Sequence, residues 1–557
     1  MVLKCEIGTR EGKPLVEEYG LDELVASAEA VLAGLGPLAA GLARLAVAAS
    51  RAVTLDEMEG LVGERGRELL CGVAQLGLDV QADAEVRLAE VTGADGVRRG
   101  RAERGHERPV VTRLGEVIVR RIAYRAGIRG VASLFPRDAV LNLPPCGYSW
   151  DLQQLAVMFA RDGAYEQARA FVLAVTGVSI GKRQLEQMAA GAAADVAAFY
   201  DAGGPADGPQ PAAPDGPEPA VAEGPGEQQP GQPEQGKPGP LALSADGKGV
   251  AMRPGSRRAR TKAPDQRVKN FGKRAGTGEK GHKRIAEVAC VFDVIPRART
   301  PEQVMASHHG GDGQGRDGSK APGKPAPTAV SRRYNVDIAA DRSAAITWLF
   351  DQAERRDPGH GRDWIALVDG DNHQIRLIEQ QAAARGVTGI TILIDLVHVI
   401  QYLWKAAWAF HQPRDPAIET WTIARATDIL HGRAADVITL IARLAEDHPP
   451  QHPEHAKNIR ATLSYLTAKL PYLDYPQALA KGWPVATGVI EGACRHLVQD
   501  RMAITGARWS TEGAQAILWL RVIHANGDHD AYWHWHLRQE HQRNHLSRYQ
   551  DSLTLAA

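Results

Sequence analysis

One stretch constrains the fold more than any other. It is the apolar run Leu241-Ala-Leu-Ser-Ala, which ends in Asp246 and the glycine turn Gly247-Lys-Gly249. Such a run predicts a β-strand that carries a carboxylate at its tip. The stretch stands between a segment rich in Pro, Gly, Glu and Gln and the most basic segment of the chain. We therefore expect it to begin a folded domain and to present its acid beside positive charge.

Two later acids lie in comparable settings. Asp369 directly follows the apolar run Trp364-Ile-Ala-Leu-Val and precedes a glycine. Glu491 lies within Gly488-Val-Ile-Glu-Gly492, a stretch with helical character. Three carboxylates from distant parts of one chain, next to a basic strip, suggest a divalent-metal site that acts on phosphodiesters.

The composition narrows the class of protein. Because 66 Lys and Arg balance 66 Asp and Glu, the formal charge is zero and partners must be inferred from local charge. The five cysteines are far apart and form no CxxC pair, which favours a reducing cytoplasm over a disulfide framework or a cysteine zinc site. No secretory signal is visible, and the apolar stretch 30–43 is interrupted by Gly and Pro and falls short of the roughly 20 residues of a membrane span. We expect a cytoplasmic protein of three or four domains without membrane association.

The N-terminal 200 residues predict a mainly α-helical DNA-binding region in two parts. Residues 1–100 are rich in Ala, Leu and Glu at helical spacing, which predicts a helical region with a structural or dimerising role. Residues 101–200 begin with strand-like residues at 110–124, which predict β-strands with a turn near Gly115.

A helix-turn-helix-like pattern follows within 101–200. Gly177 is suited to the turn, and Ser179 is suited to cap the second helix. The side chains that follow would then face a DNA groove, and they are Lys182, Arg183, Gln184 and Gln187. An ordinary helical hairpin is the alternative interpretation of the same pattern.

The segment 241–410 predicts an α/β core. Its first two apolar stretches, 241–246 and 248–252, predict one hairpin, and the alternating stretch 284–296 predicts a third strand. Helix, strand, helix, strand and helix follow, and this order is that of the RNase H-like fold. The strand tips of such a sheet would bring Asp246 and Asp369 side by side.

The other segments are assigned by composition and periodicity. They are a disordered linker at 201–240, a basic loop at 253–284, a disordered loop at 308–328, a helical insertion at 411–484, a catalytic helix that closes the core at 485–525, and an exposed helical C-terminal tail at 526–557.

The basic loop is suited to contact a phosphate backbone. It contains twelve Lys or Arg and only two acids, interspersed with Gly and Pro. A solubilising run of charge is the alternative. The predicted DNA contacts in this loop are Arg257, Arg258, Arg260, Lys262, Lys273, Arg274, Lys283 and Arg284.

The chemistry explains why acids are needed here. Cleavage of a phosphodiester requires an activated water or 3′-hydroxyl and a stabilised leaving oxyanion, and two Mg²⁺ ions supply both. Mg²⁺ binds carboxylate oxygens, waters and phosphate oxygens, and Mn²⁺ is a possible substitute. We expect Asp246 to bridge both ions, Asp369 to hold one and Glu491 the other.

Four motifs, in this order, resemble the DDE transposases of bacterial insertion sequences, and the ISKra family in particular. They are Leu243-Ser-Ala-Asp246-Gly-Lys-Gly-Val250, Val368-Asp369-Gly370-Asp371-Asn-His-Gln374, Asp395-Leu-Val-His398 and Gly488-Val-Ile-Glu491-Gly-Ala-Cys-Arg495. The continuation to Gln499-Asp-Arg501-Met502-Ala-Ile-Thr-Gly506-Ala-Arg-Trp509 adds to the likeness, which covers roughly 110–521.

The resemblance implies the catalytic triad Asp246, Asp369 and Glu491, together with an accessory pair, Asp395 and His398. A structural Asp395 that caps the helix of His398 is the alternative for that pair. Arg501 and Trp509 are further candidate DNA contacts, by charge and by stacking on a splayed base. A core position is the alternative for Trp509.

The sequence leaves open which residue is the second acid of the catalytic triad. Asp369, Asp371 and Asp395 could each fill the position. Asp369 is preferred because it ends the apolar strand directly and is followed by Gly370.

The resemblance also implies an activity and partners. The enzyme would cleave strands at the terminal inverted repeats of its element, then use the freed 3′-hydroxyl to attack target DNA, acting as a homodimer or higher assembly at the bacterial nucleoid. The alternatives are a non-catalytic DNA-binding regulator derived from a transposase and an RNase H-like nuclease that cleaves without joining.

Overall fold

The computed structural model describes residues 6–10, 13–16, 36–204, 239–256, 283–308, 326–339, 341–412, 415–450 and 452–550. Most of the predicted linker, basic loop and second disordered loop therefore lies outside the described residues. The chain divides into two units, of which the first comprises Met1–Ala202 and Asp530–Ala557 and the second Gly203–His529.

A mixed α/β architecture is built around a five-stranded sheet in the second unit. We number its strands along the chain as β1 (Leu241–Ala251), β2 (Lys283–Ile295), β3 (Thr328–Asp337), β4 (Trp364–Val368) and β5 (Ile390–Ile394). Their order across the sheet is β5-β4-β1-β2-β3. Strand β2 is antiparallel to β1 and β3, whereas β4 is parallel to both β1 and β5.

Burial explains the continuous apolar runs of the central strands. All five residues of β4 are buried, as are the first five of β1, because parallel strands are covered on both faces. Three helices contact the sheet: α1 (Arg342–Arg356), α2 (Asn372–Ala384) and the late helix α4 (Thr511–Ala525). Helix α3 (Leu396–Phe410) follows β5 and packs mainly on later helices.

Two details of the predicted core were wrong. Residues 241–252 do not form a hairpin, because β1 continues through Gly247 and Gly249 and pairs with β2 over its whole length. The third strand is β3, which the sequence interpretation had not assigned to any strand, and the stretch predicted as third is β2. The ladder to β2 supplies the hydrogen bonds that hold these residues extended.

A block of helices follows the sheet, within the segment 411–484 whose helical character the sequence predicts. Its helices are Ala417–Leu430, Ala434–Asp447, Pro453–Lys469 and the short Tyr475–Ala480. The predicted catalytic helix at 485–525 is broken into Gly488–Ala493, a π-helical turn at Cys494–Gln499, a short turn at Asp500–Met502 and the separate helix α4. Such π-turns are rare and occur often at functional sites.

The first unit contains more β-structure than its sequence predicts. Short strands pair at Glu6–Arg10 with Lys13–Val16. The long hairpin of Arg101–Thr112 and Gly115–Arg125 confirms the turn near Gly115, where φ is +140°. The 29-residue helix Leu55–Asp83 packs on this hairpin, with Gln75 donating to and accepting from the backbone of Ile118.

The helical part of this unit includes the pair of helices that the sequence predicts on either side of Gly177. Its helices are Trp150–Asp162, Tyr165–Thr176 and Lys182–Ala192. Gly177 ends the second of them in the left-handed conformation, with φ +72°, as the sequence indicates. The cap of the third helix is Gly181 rather than Ser179, and Gln184 closes it by accepting from the Gly181 backbone NH at 2.9 Å.

The C-terminal helix, His529–Asn544, is not simply exposed as predicted. Tyr532, Trp533 and His536 are buried, and the Tyr532 hydroxyl donates to the carbonyl of Ala192. This segment is therefore part of the core of the first unit. Across the residues described, none of the helices combines the length and the apolar character that crossing a bilayer requires.

Candidate active site at the carboxyl edge of the sheet

Three acids stand at one level on neighbouring parallel strands. Leu367 of β4 lies opposite Ser244 of β1, an offset of 123 residues that also separates Asp369 from Asp246. Val368 lies opposite Ile394 of β5, and continuing that register sets Asp369 opposite Asp395, whose NH donates to the Val368 carbonyl at 2.8 Å. Adjacent strands are about 4.8 Å apart, so the three acids form a row at the carboxyl edge.

Asp246 lies within β1, where the strand becomes half-buried. Its Oδ1 accepts from the backbone NH of Gly247 at 2.6 Å. Its Oδ2 lies 3.4 Å from the thiol of Cys494, which donates to it. Burial, followed by the charge and hydrogen bond of Asp246, raises the pKa of Cys494 far above its usual range, so the thiol keeps its proton.

Asp369 leaves its second oxygen available. Its Oδ1 accepts from the backbone NH of Asp371 at 2.9 Å, and Oδ2 has no hydrogen-bond partner within the described chain. The next residue, Gly370, has φ +96°, and a Cβ there would lie 2.7 Å from the Tyr465 hydroxyl. That hydroxyl donates to the Asp369 carbonyl at 3.1 Å, so a glycine is required where the tyrosine holds the chain.

Asp395 is fully buried and its hydrogen-bonding capacity is used. Oδ1 accepts from the backbone NH groups of Val397 (3.1 Å) and Thr487 (3.3 Å). Oδ2 accepts from the Thr487 hydroxyl at 2.8 Å and from Nδ1 of His398 at 2.7 Å. Burial alone would raise the pKa of Asp395, but these hydrogen bonds and the His398 charge lower it overall. A carboxylate has about four acceptor sites, so Asp395 has none left for a metal.

Asp371 is also committed to structure. Its carboxylate caps α2 by accepting from the His373 NH at 2.8 Å, and it forms an ion pair with Arg342. Although burial opposes the change, the hydrogen bond and the charges of Arg342 and His373 lower the pKa of Asp371. Of the three candidates for the second acid, only Asp369 has a carboxylate oxygen without a hydrogen-bond partner among the described residues.

Glu491 projects from the short helix Gly488–Ala493 and is exposed. The Thr487 hydroxyl lies 3.5 Å from its Oε1, and Cys494 stands three residues further along. Thr487 thus contacts Asp395, and Cys494 contacts Asp246. The helix of Glu491 is therefore fastened to the sheet edge at two points.

His398 completes the cluster. Ligand atoms of Asp395, His398 and Glu491 lie within 4.8 Å of one another. The hydrogen bond to Asp395 raises the pKa of His398; burial opposes it, and the charges of Asp395, Asp369 and Glu491 raise it further. Asp246 and Asp369 are not part of this tight group, and they reach the site from the neighbouring strands.

A buried lysine borders the same edge. Lys469 is 3% exposed and contacts the side chain of Asn372. Burial lowers its pKa, while the charges of Asp371 and Asp369 act in the opposite sense. The positive side chain lies where it balances the acids.

The predicted DNA contacts are distributed unevenly. Lys283 and Arg284 begin β2, and Arg284 donates to the Thr511 hydroxyl at 3.1 Å. Lys182 and Arg183 are exposed on the first unit's helix Lys182–Ala192. The other six contacts predicted in the basic loop lie outside the described residues, and they are Arg257, Arg258, Arg260, Lys262, Lys273 and Arg274.

Arg501 and Trp509 correct the sequence interpretation. They are 2% and 6% exposed, and the Arg501 guanidinium lies 4.8 Å from the centre of the Trp509 ring. The backbone of Trp509 also joins the end of β1 through Ala251. Both residues belong to the core, so neither is available to contact DNA here.

Sequence reasoning missed three residues of the site: Thr487, Cys494 and Tyr465. A signal existed for the first two, because positions 487, 491 and 494 share one face of a helix. Tyr465 carries none, since it comes from the helical block far from the motifs and reaches Asp369 only through the fold.

The comparisons with known proteins give no family. No family model matches the chain, and no significantly similar protein is found among the curated ones.

Proposed function

We propose that the chain is a DNA transposase of the DDE type, of the kind that bacterial insertion sequences encode. The observation that carries the proposal is the common level of Asp246 and Asp369 on adjacent parallel strands, with Asp395 on the next strand as a structural neighbour. Glu491 joins them from a helix fastened to the same edge. Paired carboxylates of this kind suit the transfer of phosphodiesters.

The strand arrangement supports an RNase H-like core. In that fold three antiparallel strands come first, and two more follow beside the first strand and parallel to it. The order β5-β4-β1-β2-β3, with β2 reversed, agrees with this description. Acids at the tips of the first and fourth strands then adjoin, as the motifs imply.

The donor set fits Mg²⁺ and also Mn²⁺, because both bind carboxylate oxygens. Asp246, Asp369 and Glu491 would hold the ions, since the Asp369 carboxylate has a free oxygen and Glu491 is exposed. When bound, two such ions would activate a water or 3′-hydroxyl and stabilise the leaving oxyanion.

Asp395 and His398 have supporting roles in this account. The saturated carboxylate of Asp395 fixes the His398 ring and the amino end of the Glu491 helix. A protonated His398, held through Nδ1, can present Nε2 to a phosphate oxygen or a water. His398 is thus a candidate for proton donation to the leaving oxygen.

DNA would be bound by the basic residues of both units. Lys283, Arg284 and the neighbouring basic loop would contact the phosphate backbone beside the acids. Lys182 and Arg183 would contact the terminal inverted repeats. A homodimer or larger assembly would hold two element ends and the target.

The test is Mg²⁺-dependent nicking and strand joining on DNA that carries the coding region with its flanks. Wild type should nick and join, whereas Asp246→Asn, Asp369→Asn and Glu491→Gln should each lose more than 100-fold, because each removes a charged ligand. Asp363→Asn is the matched control, since Asp363 is an exposed acid at the opposite end of β4. It should retain activity.

The outcomes separate the alternatives. Binding without nicking by the wild type would favour a regulatory protein. Nicking without joined products would favour an RNase H-like nuclease. Equal nicking by wild type and Asp246→Asn would refute the site.

A further inference from the structure

A cavity of about 320 Å³ lies in the first unit, outside the candidate active site. Its wall is formed by the helix Lys182–Ala192, the segment 145–150 and the C-terminal helix. On the side formed by the helix Lys182–Ala192, the small residues Gly191 and Ala192 leave the cavity unfilled. A Cβ on Gly191 would meet no atom within 4 Å. The cavity is thus adjacent to the helix predicted to face DNA.

The polar groups that line it have unused hydrogen-bonding capacity. His536 is 1% exposed and its Nδ1 is bonded to Asp195 at 2.7 Å, while Nε2 has no partner in the part of the chain that the structure describes. Gln184 accepts from Tyr148 at 3.0 Å through Oε1, which leaves its NH₂ to donate. The carboxamide of Gln187 has no partner among the described residues either. These groups can serve both donors and acceptors of a ligand.

The apolar part of the lining is aromatic. Trp150 lies edge-on to the His536 ring, with centroids 6.1 Å apart, and Trp533 lies 5.5 Å from it. Indole surfaces bind flat rings by stacking. Aromatic walls combined with the amide groups and the buried imidazole of the lining suit a planar heterocycle.

Hydrogen bonds and ion pairs occupy the carboxylates that a cation would need here. Carboxylates of Asp195 and Glu540 lie within 4.8 Å of the His536 ligand atom, but the Arg543 guanidinium contacts both of them, at 2.8 and 3.1 Å. Both oxygens of Asp195 accept from Arg543, and the second oxygen of Glu540 accepts from Asn544. The nearest positive side chains outside the cavity on the helix are those of Lys182 and Arg183 at its amino end, where phosphates would be bound.

We propose that this cavity receives one unpaired base of the bound DNA, with the adjoining phosphates on Lys182 and Arg183. The proposal rests on the proposed function, because it requires a DNA substrate. Enzymes that take a base out of the stack read it by hydrogen bonds and by stacking in such a pocket.

The test compares two duplexes of the same sequence, one fully paired and one with a single unpaired base, by fluorescence anisotropy with the full chain. Stacking of one base corresponds to about a 5- to 150-fold preference for the duplex with the unpaired base. Gly191→Trp should fill the cavity and abolish this preference without weakening binding to the paired duplex. Gly191→Ala is the matched control and should keep the preference.

Several results would overturn the proposal. If the wild type binds both duplexes equally, the cavity takes no base, although the proposed function can still hold. If the wild type binds neither duplex, the proposed function is refuted, and the base-binding role of the cavity is refuted with it. If deoxyadenosine monophosphate binds the wild type but not Gly191→Trp, without any preference for the unpaired base, the ligand is a free nucleotide and not DNA.

Discussion

Gly370→Ala tests how tightly the fold fixes the second acid. At φ +96° an alanine is strained by about 1–3 kcal/mol. Its Cβ would also lie 2.7 Å from the Tyr465 hydroxyl, which cannot move easily because the ring stacks on Tyr402 at 3.9 Å. Overpacking of this kind costs a further 1–3 kcal/mol, roughly. We expect a total of about 2–6 kcal/mol.

Substitutions at two other glycines separate the contribution of backbone strain from that of overpacking. Gly386→Ala has φ +67° but no atom within 4 Å, so it should show only the backbone strain. Gly389→Ala has neither feature and should change stability little. Tyr465→Phe combined with Gly370→Ala should recover part of the loss, because the oxygen nearest the Cβ is removed.

The assay is hydrogen exchange of the full chain, followed by mass spectrometry on peptides that cover β4. A loss of 2 kcal/mol lowers protection about 30-fold, since 1.4 kcal/mol is a factor of ten. Nicking should fall in parallel as Asp369 is displaced. If Gly370→Ala costs no more than Gly386→Ala, Tyr465 does not hold this segment and the reasoning is wrong.

Three further predictions concern the same edge. Thr487→Val removes a hydroxyl donor from the buried Asp395 carboxylate and should destabilise the second unit by about 1.5–3 kcal/mol, measured by hydrogen exchange; no change would contradict that hydrogen bond. The hydrogen bond to Asp395 raises the pKa of His398, so the contribution of protonated His398 to stability is complete below about pH 6.5 and is lost as the pH rises through the folded-state pKa. The difference in the free energy of unfolding between wild type and His398→Gln should therefore shrink from pH 6 to pH 9. A difference that grows with pH would refute the pairing of His398 with Asp395. Cys494→Ala should reduce nicking several-fold by releasing Asp246, whereas Cys494→Ser keeps a donor and should retain most activity, and equal losses in both variants would argue against that role.

The sequence was most informative where a run of residues is buried on both faces. The β4 run and its terminal acid follow directly from their apolar residues and the glycine that comes next. The extent of β1 could not be predicted, because its glycine-rich second half looks like a turn and is extended only through its pairing with β2. Glycine signals are overridden when a neighbouring strand supplies the hydrogen bonds.

The choice among acids needed three-dimensional information. The sequence favours Asp369 over Asp371 and Asp395 because it ends the apolar strand, but only the structure shows how many donors surround each carboxylate. Asp395 receives four hydrogen bonds from residues as distant as Thr487, which no local pattern encodes. The burial of Trp509 likewise depends on its bridge to Met252 of the sheet region.

Anomalous scattering from crystals soaked in MnCl₂ shows whether Asp246, Asp369 and Glu491 together bind divalent cations. We expect anomalous peaks bounded by these three carboxylates, and the loss of those peaks in Asp246→Asn crystals. Peaks confined to His398 and Asp395, or an empty carboxyl edge at saturating Mn²⁺, would contradict that expectation.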